Sequence, residues 1–149
     1  MDEKEKKAYV SLYKKDGLSY SLTLFAIAAE LIYVTTVLDV MEISFWMGAT
    51  VMTNIVLLFL LFTCAVKMNV YEKKLAYVAL ACGIYMVIRQ FVLIPLVLKP
   101  YDDQMVIGAA NLAGAGLLGF AGYVSINRSS RRQKLREKLG EPSEGQKGG

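Results

Sequence analysis

The chain has 149 residues, of which 55% are hydrophobic, and it carries a formal net charge of +4 at pH 7. It contains no histidine, so the commonest metal ligand and the commonest general base are both missing from the sequence. This composition predicts no metal site, no bound cofactor and no enzyme activity, and the length fits a single domain.

The hydrophobic residues form four long blocks separated by short charged segments. Each block exceeds the roughly 20 residues that a helix needs to cross about 30 Å of hydrocarbon. Backbone groups in lipid must be satisfied within their own segment, which favours helices over open strands. The sequence therefore predicts an all-α integral membrane protein, a four-transmembrane-helix antiparallel bundle with spans at residues 18–38, 43–66, 75–98 and 105–126.

Charged segments flank the four blocks at both ends of the chain. Residues 1–17 combine lysines and acids with a small apolar stripe, which predicts a short amphipathic helix ending near Gly17. Residues 127–149 start with a basic stretch and end in a glycine-rich run, so we expect a basic and then disordered tail. Within the third block, Pro95 lacks a backbone donor and is expected to bend the helix.

The distribution of basic residues predicts the orientation of the bundle. Fifteen of the 17 Lys and Arg lie before the first block, between the second and third, or after the fourth. The positive-inside rule then places both termini in the cytoplasm, an N-in/C-in arrangement. We expect the cytoplasmic membrane of a prokaryote.

The basic stretch after the fourth block has two interpretations. It either only marks the cytoplasmic side or also lies on anionic lipid headgroups, where each base contributes roughly 1 kcal/mol. Because the basic residues lie where membrane topology requires them, we expect no nucleic-acid partner. The residues concerned are Arg128, Arg131, Arg132, Lys134, Arg136 and Lys138.

Each block carries one strongly polar residue near its middle, namely Glu30, Asn54, Arg89 and Asn111. At a rise of 1.5 Å per residue, all four fall within about 6 Å of the membrane midplane. Helical spacing places most of them on faces with small or polar companions, whereas opposite faces, to which we assign Leu57, are expected to contact lipid. A buried polar layer shared by four helices is the prediction.

An ionisable residue inside a membrane usually faces the bundle interior and finds a partner. We therefore predict that Glu30 pairs with Arg89, and that the two asparagines, Tyr33 or Tyr85 complete the hydrogen bonds. Such a layer either holds the helices in register or forms a proton or cation site. A permanent cation beside the carboxylate favours the structural role.

The fourth block is rich in small residues at a spacing of four, which permits close approach between helix backbones. The sequence leaves open whether these residues pack within one subunit or against a second copy or a partner. The residues are Gly108, Ala110, Gly114, Ala115, Gly119 and Gly122.

The stretch AIAAELIYVTT, residues 26–36, resembles the first helix of the small multidrug resistance transporters. In that family a membrane-embedded glutamate binds drug or proton, and the resemblance implies this role for Glu30. The third block departs from the family, because it carries Arg89 and lacks the glycine-rich, tryptophan-containing pattern found there. We assign no family from this stretch.

These observations favour a small non-catalytic polytopic membrane protein in the lipid bilayer. It would be an accessory or assembly subunit that contacts another membrane protein or a second copy of itself. The alternative is a small proton- or cation-coupled transporter that uses Glu30. The two differ in whether Glu30 faces Arg89 or faces water.

Overall fold

The structure is a computed structural model that describes residues 3–12, 14–93 and 104–139. Within those ranges every regular element is helical, and four of the helices are long and apolar enough to cross a membrane. The all-helical fold with four such helices is thus confirmed. The elements are α1 (Glu3–Leu12), α2 (Gly17–Val40), α3 (Phe45–Asn69), α4 (Lys73–Ile88) with a π-helical turn at Arg89–Leu93, and α5 (Gln104–Lys138).

Side-chain caps and a tight turn determine where α2, α3 and α4 begin. Asp16 and Ser44 precede α2 and α3, and each accepts a hydrogen bond from a backbone N–H of the first turn. Between α3 and α4 the chain reverses at Tyr71, whose φ of 65° lies in the left-handed region. The amide of Tyr71 donates to the carbonyl of Met68 at 3.0 Å and so closes this turn.

The third hydrophobic block is not one regular helix. Its α-helical part ends at Ile88, and a π-helical turn continues from Arg89 to Leu93. In the sequence, Pro95 follows two residues later, and proline has no backbone N–H and is unfavourable inside a regular helix. The bend expected at Pro95 lies outside the described residues.

The helix boundaries at the two ends of the chain differ from the hydropathy pattern. α5 does not stop at residue 126 but continues through the basic stretch to Lys138. Arg, Lys, Gln and Leu are good helix formers, and their charge is no obstacle outside an apolar phase. α1 ends at Leu12 instead of near Gly17, and the predicted disordered run at 140–149 lies outside the described residues.

Successive long helices run in opposite directions. The amide of Asp16, at the start of α2, donates to the carbonyl of Asn69 at the end of α3, at 3.0 Å. Ser129, late in α5, donates to the carbonyl of Tyr71 just before α4, at 3.2 Å. These contacts bring the start of α2, the end of α3, the start of α4 and the late part of α5 together at one end of the bundle, so neighbouring helices are antiparallel. Each helix contacts its two neighbours in the cyclic order α2, α3, α4, α5.

The bundle is filled with apolar and small side chains, while large apolar side chains also cover its outside. Leu61, Met68, Met86 and Leu118 are fully buried in the main core. The assignment of Leu57 to the lipid-facing side was wrong, because this residue is only 5% exposed. It lies three residues after Asn54 and therefore shares the inward face of α3. The exposed large apolar side chains include Phe25, Ile32, Phe59, Phe62, Ile84 and Phe120.

Small residues of α5 let it approach its neighbours within the same chain. A Cβ added at Gly114 would lie 2.7 Å from the terminal methyl of Met86, and one at Gly122 would lie 2.7 Å from Leu80 Cγ. A Cβ at Gly108 would meet the side chain of Gln90 at 3.0 Å. Ala115 is buried as well. Packing within one subunit therefore accounts for these four of the six small residues singled out above.

The remaining two, Ala110 and Gly119, are half-buried. Ala110 packs beside a smaller apolar cluster that contains Tyr33, Val37 and Ile107. A Cβ at Gly119 would meet no atom within 4 Å, so this position has open space and sets no close approach.

We predict that Gly122→Ala destabilises the bundle by about 1–3 kcal/mol, because the new methyl overlaps Leu80 and lies 3.1 Å from the carbonyl of Ala76. Thermal unfolding in detergent micelles measures the change. Gly116→Ala is the matched control, since its Cβ would meet no atom within 4 Å. Equal unfolding midpoints for the two variants would contradict the close approach of α4 and α5.

Candidate functional site

An ion pair lies in the middle of the bundle. Arg89, the first residue of the π-helical turn, donates from Nη1 to Oε1 and from Nη2 to Oε2 of Glu30 on α2, both at 2.7 Å. Glu30 is 0% exposed and Arg89 is 3% exposed. The pairing proposed from the sequence is therefore present, and its geometry is bidentate, the arrangement in which a guanidinium binds a carboxylate most strongly.

Both central asparagines complete the coordination of the guanidinium. Nη1 of Arg89 donates to Oδ1 of Asn54 at 2.8 Å, and Nε donates to Oδ1 of Asn111 at 3.0 Å. Nη2 also donates to Oδ1 of Asn111. A guanidinium has five N–H donors, and all five are used here. Since α2, α3 and α5 supply the acceptors, one side chain links all four long helices.

The asparagine side chains are themselves held in place. Nδ2 of Asn111 donates to the carbonyl of Met86 at 2.8 Å and to Oε1 of Gln90 at 3.1 Å. Nδ2 of Asn54 donates to the carbonyl of Thr50 at 2.8 Å. Sequence reasoning missed Gln90, although an amide beside Arg89 in an apolar block was a usable signal. With these bonds, the amide oxygens point toward the guanidinium.

The two tyrosines contact Arg89 through their rings. The guanidinium carbon lies 3.8 Å from the ring centroid of Tyr33 and 5.8 Å from that of Tyr85. Tyr33 is buried and Tyr85 is half-buried. The contribution is a cation–π contact rather than the hydrogen bond suggested as one possibility, and the rings also exclude solvent from one side of the cation.

A second ion pair lies at the end of the bundle where α2 begins, and sequence reasoning missed it. The carboxylate of Asp16 is 0% exposed and accepts from Ser19 Oγ at 2.6 Å and from Arg128 Nη1 at 2.7 Å. The signal that could have found Asp16 is its place three residues before Ser19, at the entry to an apolar helix, which is typical of an N-cap. Nothing local in the sequence links it to Arg128.

Tyr71 extends this second cluster to the α3–α4 turn. The guanidinium carbon of Arg132 lies 4.5 Å from the ring centroid of Tyr71. The backbone carbonyl of Tyr71 accepts a hydrogen bond from Ser129. Burial and, to a smaller extent, the negative charge of Asp16 raise the pKa of the Tyr71 phenol above its ordinary value, while Arg132 and Arg128 act in the opposite direction. We refer to Asp16, Tyr71, Arg128, Ser129 and Arg132 as the end cluster.

The six basic residues after the fourth block thus divide into groups. Arg128 and Arg132 belong to the end cluster, and Arg136 is half-buried. The other three are exposed, and none of them has an ion pair with a described residue. They are Arg131, Lys134 and Lys138.

The central layer offers charge and hydrogen bonding but no obvious redox or nucleophilic group. Among the described residues, no group of three or more Cys, Asp or Glu side chains lies close enough to hold a metal ion. Comparison with protein families, curated proteins and solved structures finds no match for this chain. The resemblance of residues 26–36 to small multidrug resistance transporters therefore depends on that stretch alone.

Breaking the central ion pair should be more harmful than removing both partners. We predict that Glu30→Gln or Arg89→Gln alone destabilises the protein by about 3–5 kcal/mol, because each leaves one buried charge without its partner. The double variant should regain much of the loss. Thermal unfolding of the four proteins in detergent micelles gives the coupling energy.

Arg131→Gln is the control for this cycle, because it removes an arginine from the exposed side of α5 and should leave the unfolding midpoint unchanged. Strictly additive losses in the double variant would show that Glu30 and Arg89 do not stabilise the bundle as a pair.

The end cluster allows the charge and the cap of Asp16 to be separated. We predict that Asp16→Asn costs about 1 kcal/mol, since it removes the ion pair with Arg128, whose side chain is 44% exposed, but retains a capping oxygen. Asp16→Ala should cost about 1 kcal/mol more through loss of the cap. Unfolding midpoints provide the comparison, and identical values for the two variants would exclude a contribution from capping.

Proposed function

We propose that this chain is a small non-catalytic multi-pass membrane protein, an accessory or assembly subunit that acts through helix–helix contacts. In this proposal the Glu30–Arg89 layer is a structural element that holds α2 to α5 in one register. The chain then presents a rigid apolar surface to another membrane protein or to a second copy of itself.

The observation that carries the proposal is the saturation of Arg89. All five of its N–H donors bond to residues of this chain, and both oxygens of Glu30 accept from it. A transport carboxylate needs access to water and to its cargo, whereas the carboxylate of Glu30 is 0% exposed and faces a permanent cation. This arrangement favours a structural role over proton or cation coupling.

The uneven coverage of the helices supports the choice of a contact-making subunit. In its most apolar window, α3 has 28% of its residues buried, against 44% for α5. The outer face of α3 carries Phe59, Phe62 and Val66, all exposed. In a membrane this face contacts lipid or another helix.

The proposal includes a location and an orientation. The four apolar helices suit a multi-pass protein of a prokaryotic cytoplasmic membrane, with both termini in the cytoplasm. The end cluster and the exposed bases of α5 share one end of the bundle. The α3–α4 turn lies at the same end, and it is flanked by Lys67, Lys73 and Lys74. That end is the basic one and belongs in the cytoplasm by the positive-inside rule.

Reporter fusions test the orientation. We predict that alkaline phosphatase is active when fused after residue 42 and inactive when fused after residue 70 or at the C-terminus, while a fluorescent reporter at the C-terminus gives signal. Phosphatase activity at the C-terminus would overturn the proposed topology.

Native isolation tests the function. Extraction of the chain at its natural expression level in a mild detergent should yield a stoichiometric complex with a second membrane protein or with itself. Glu30→Gln should reduce the amount of complex, because a destabilised bundle no longer presents one fixed surface. A partnerless monomer of normal stability would contradict the accessory-subunit proposal.

Flux measurements distinguish the transporter. The purified chain in liposomes that enclose a pH-sensitive dye should give no more proton flux than Glu30→Gln. A flux that disappears in this variant, at equal incorporation, would overturn the structural role of the central layer.

A further inference from the structure

The last part of α5 continues beyond the bundle as a basic helix. α5 is a single helix from Gln104 to Lys138, which at 1.5 Å per residue is about 50 Å long and so exceeds the roughly 30 Å of a hydrocarbon core. Between Arg128 and Lys138 the helix rises by about 15 Å. We refer to residues 128–138 as the α5 extension.

The direction of the α5 extension is determined by contacts at two levels. Asn111 binds Arg89 in the central layer, and Arg128 binds Asp16 at the end of the bundle. Ser129 and Arg132 add contacts to the α3–α4 turn through Tyr71. A continuous helix held at both levels keeps its axis, so the extension points away from the bundle along that axis and does not lie flat on a membrane surface.

The basic side chains of the α5 extension serve two different purposes. Arg128 and Arg132 contact other residues of this chain, as described for the end cluster. Arg131, Lys134 and Lys138 are exposed, and their spacing of three and four residues puts them on one face of the helix. In the described part of the chain no acid forms an ion pair with any of them. We refer to these three residues as the basic row.

We propose that the basic row is a docking surface for an acidic polypeptide segment in the cytoplasm. Acids on a partner helix at the same spacing, or along an extended chain, would face three positive charges at successive heights. This inference goes beyond the accessory-subunit role, and it rests on the proposed membrane span of α2 to α5 and on the proposed cytoplasmic side of the α5 extension.

Charge and distance favour a polypeptide over lipid headgroups. Lys134 and Lys138 lie about 9 Å and 15 Å beyond the level of Arg128 along the helix. The Debye length at physiological salt is about 8 Å. Attraction between either lysine and headgroups at the level of Arg128 is therefore strongly screened. A soluble acidic segment can instead approach the row from the side. A second copy of the extension cannot, because two parallel basic rows repel each other.

The test uses the full chain in zwitterionic nanodiscs and a fluorescent polyglutamate peptide as the probe. The variant with Arg131, Lys134 and Lys138 all changed to Gln should bind the peptide about tenfold more weakly, as three surface ion pairs are lost. Changing Lys4, Lys6 and Lys7 to Gln removes the same charge from exposed positions on α1 and should alter binding less than about twofold. Binding should weaken with added salt.

Two outcomes of the binding test would overturn the proposal. One is equal weakening by the two triple variants, which would mean that the peptide senses only net charge. The other is no binding by the unchanged protein. Both variants should keep the normal unfolding midpoint, because their altered side chains are exposed. A failure of the membrane-span proposal would appear separately, in the reporter fusions.

A second measurement separates headgroups from polypeptide. A spin label attached at Lys134→Cys, in nanodiscs containing anionic phosphatidylglycerol, should be accessible to a water-soluble relaxation agent and lie outside the phosphate level. The native cysteines, Cys64 and Cys82, are buried. A label at the phosphate level would show that the extension lies on lipid and would overturn the docking proposal.

Discussion

The architecture of this bundle depends on the Arg89 guanidinium. Placed among apolar helices, a permanent cation is costly unless every donor is satisfied, and here Glu30, Asn54 and Asn111 accept all five. These acceptors come from three different helices, so each helix must keep its rotation and height for the layer to form. Apolar packing alone permits sliding and rotation, whereas this set of directional bonds does not.

The two polar clusters work at different depths. The central layer joins all four long helices near their middle, while the end cluster joins the start of α2 to the late part of α5 and to the α3–α4 turn. α5 passes through both levels, since Asn111 belongs to the central layer and Arg128 to the end cluster. The α5 extension is part of the same continuous helix, so its exposed basic side chains project from a helix of defined direction.

Much of the central site could be predicted from the sequence because polar residues are rare in apolar blocks. Glu30 and Arg89 were the only opposite charges at that depth, and pairing was the cheapest arrangement for both. The details were less accessible. Leu57 was assigned to the lipid-facing side but is buried. Tyr33 and Tyr85 contact the Arg89 cation through their rings. α5 continues past Ile126, because hydropathy indicates which residues favour lipid and does not indicate where a helix ends.

By itself, the sequence determined the number of long apolar helices, their all-α character and the identity of the four central polar residues. These follow from composition and from rise per residue, which are local properties. Only the tertiary structure decided that Asp16 meets Arg128, that Gly122 faces α4 while Gly114 lies against both α4 and α2, and that the α5 extension is directed outward. Such contacts join residues far apart in the chain, and they depend on helix rotations that the bonds of Arg89 select.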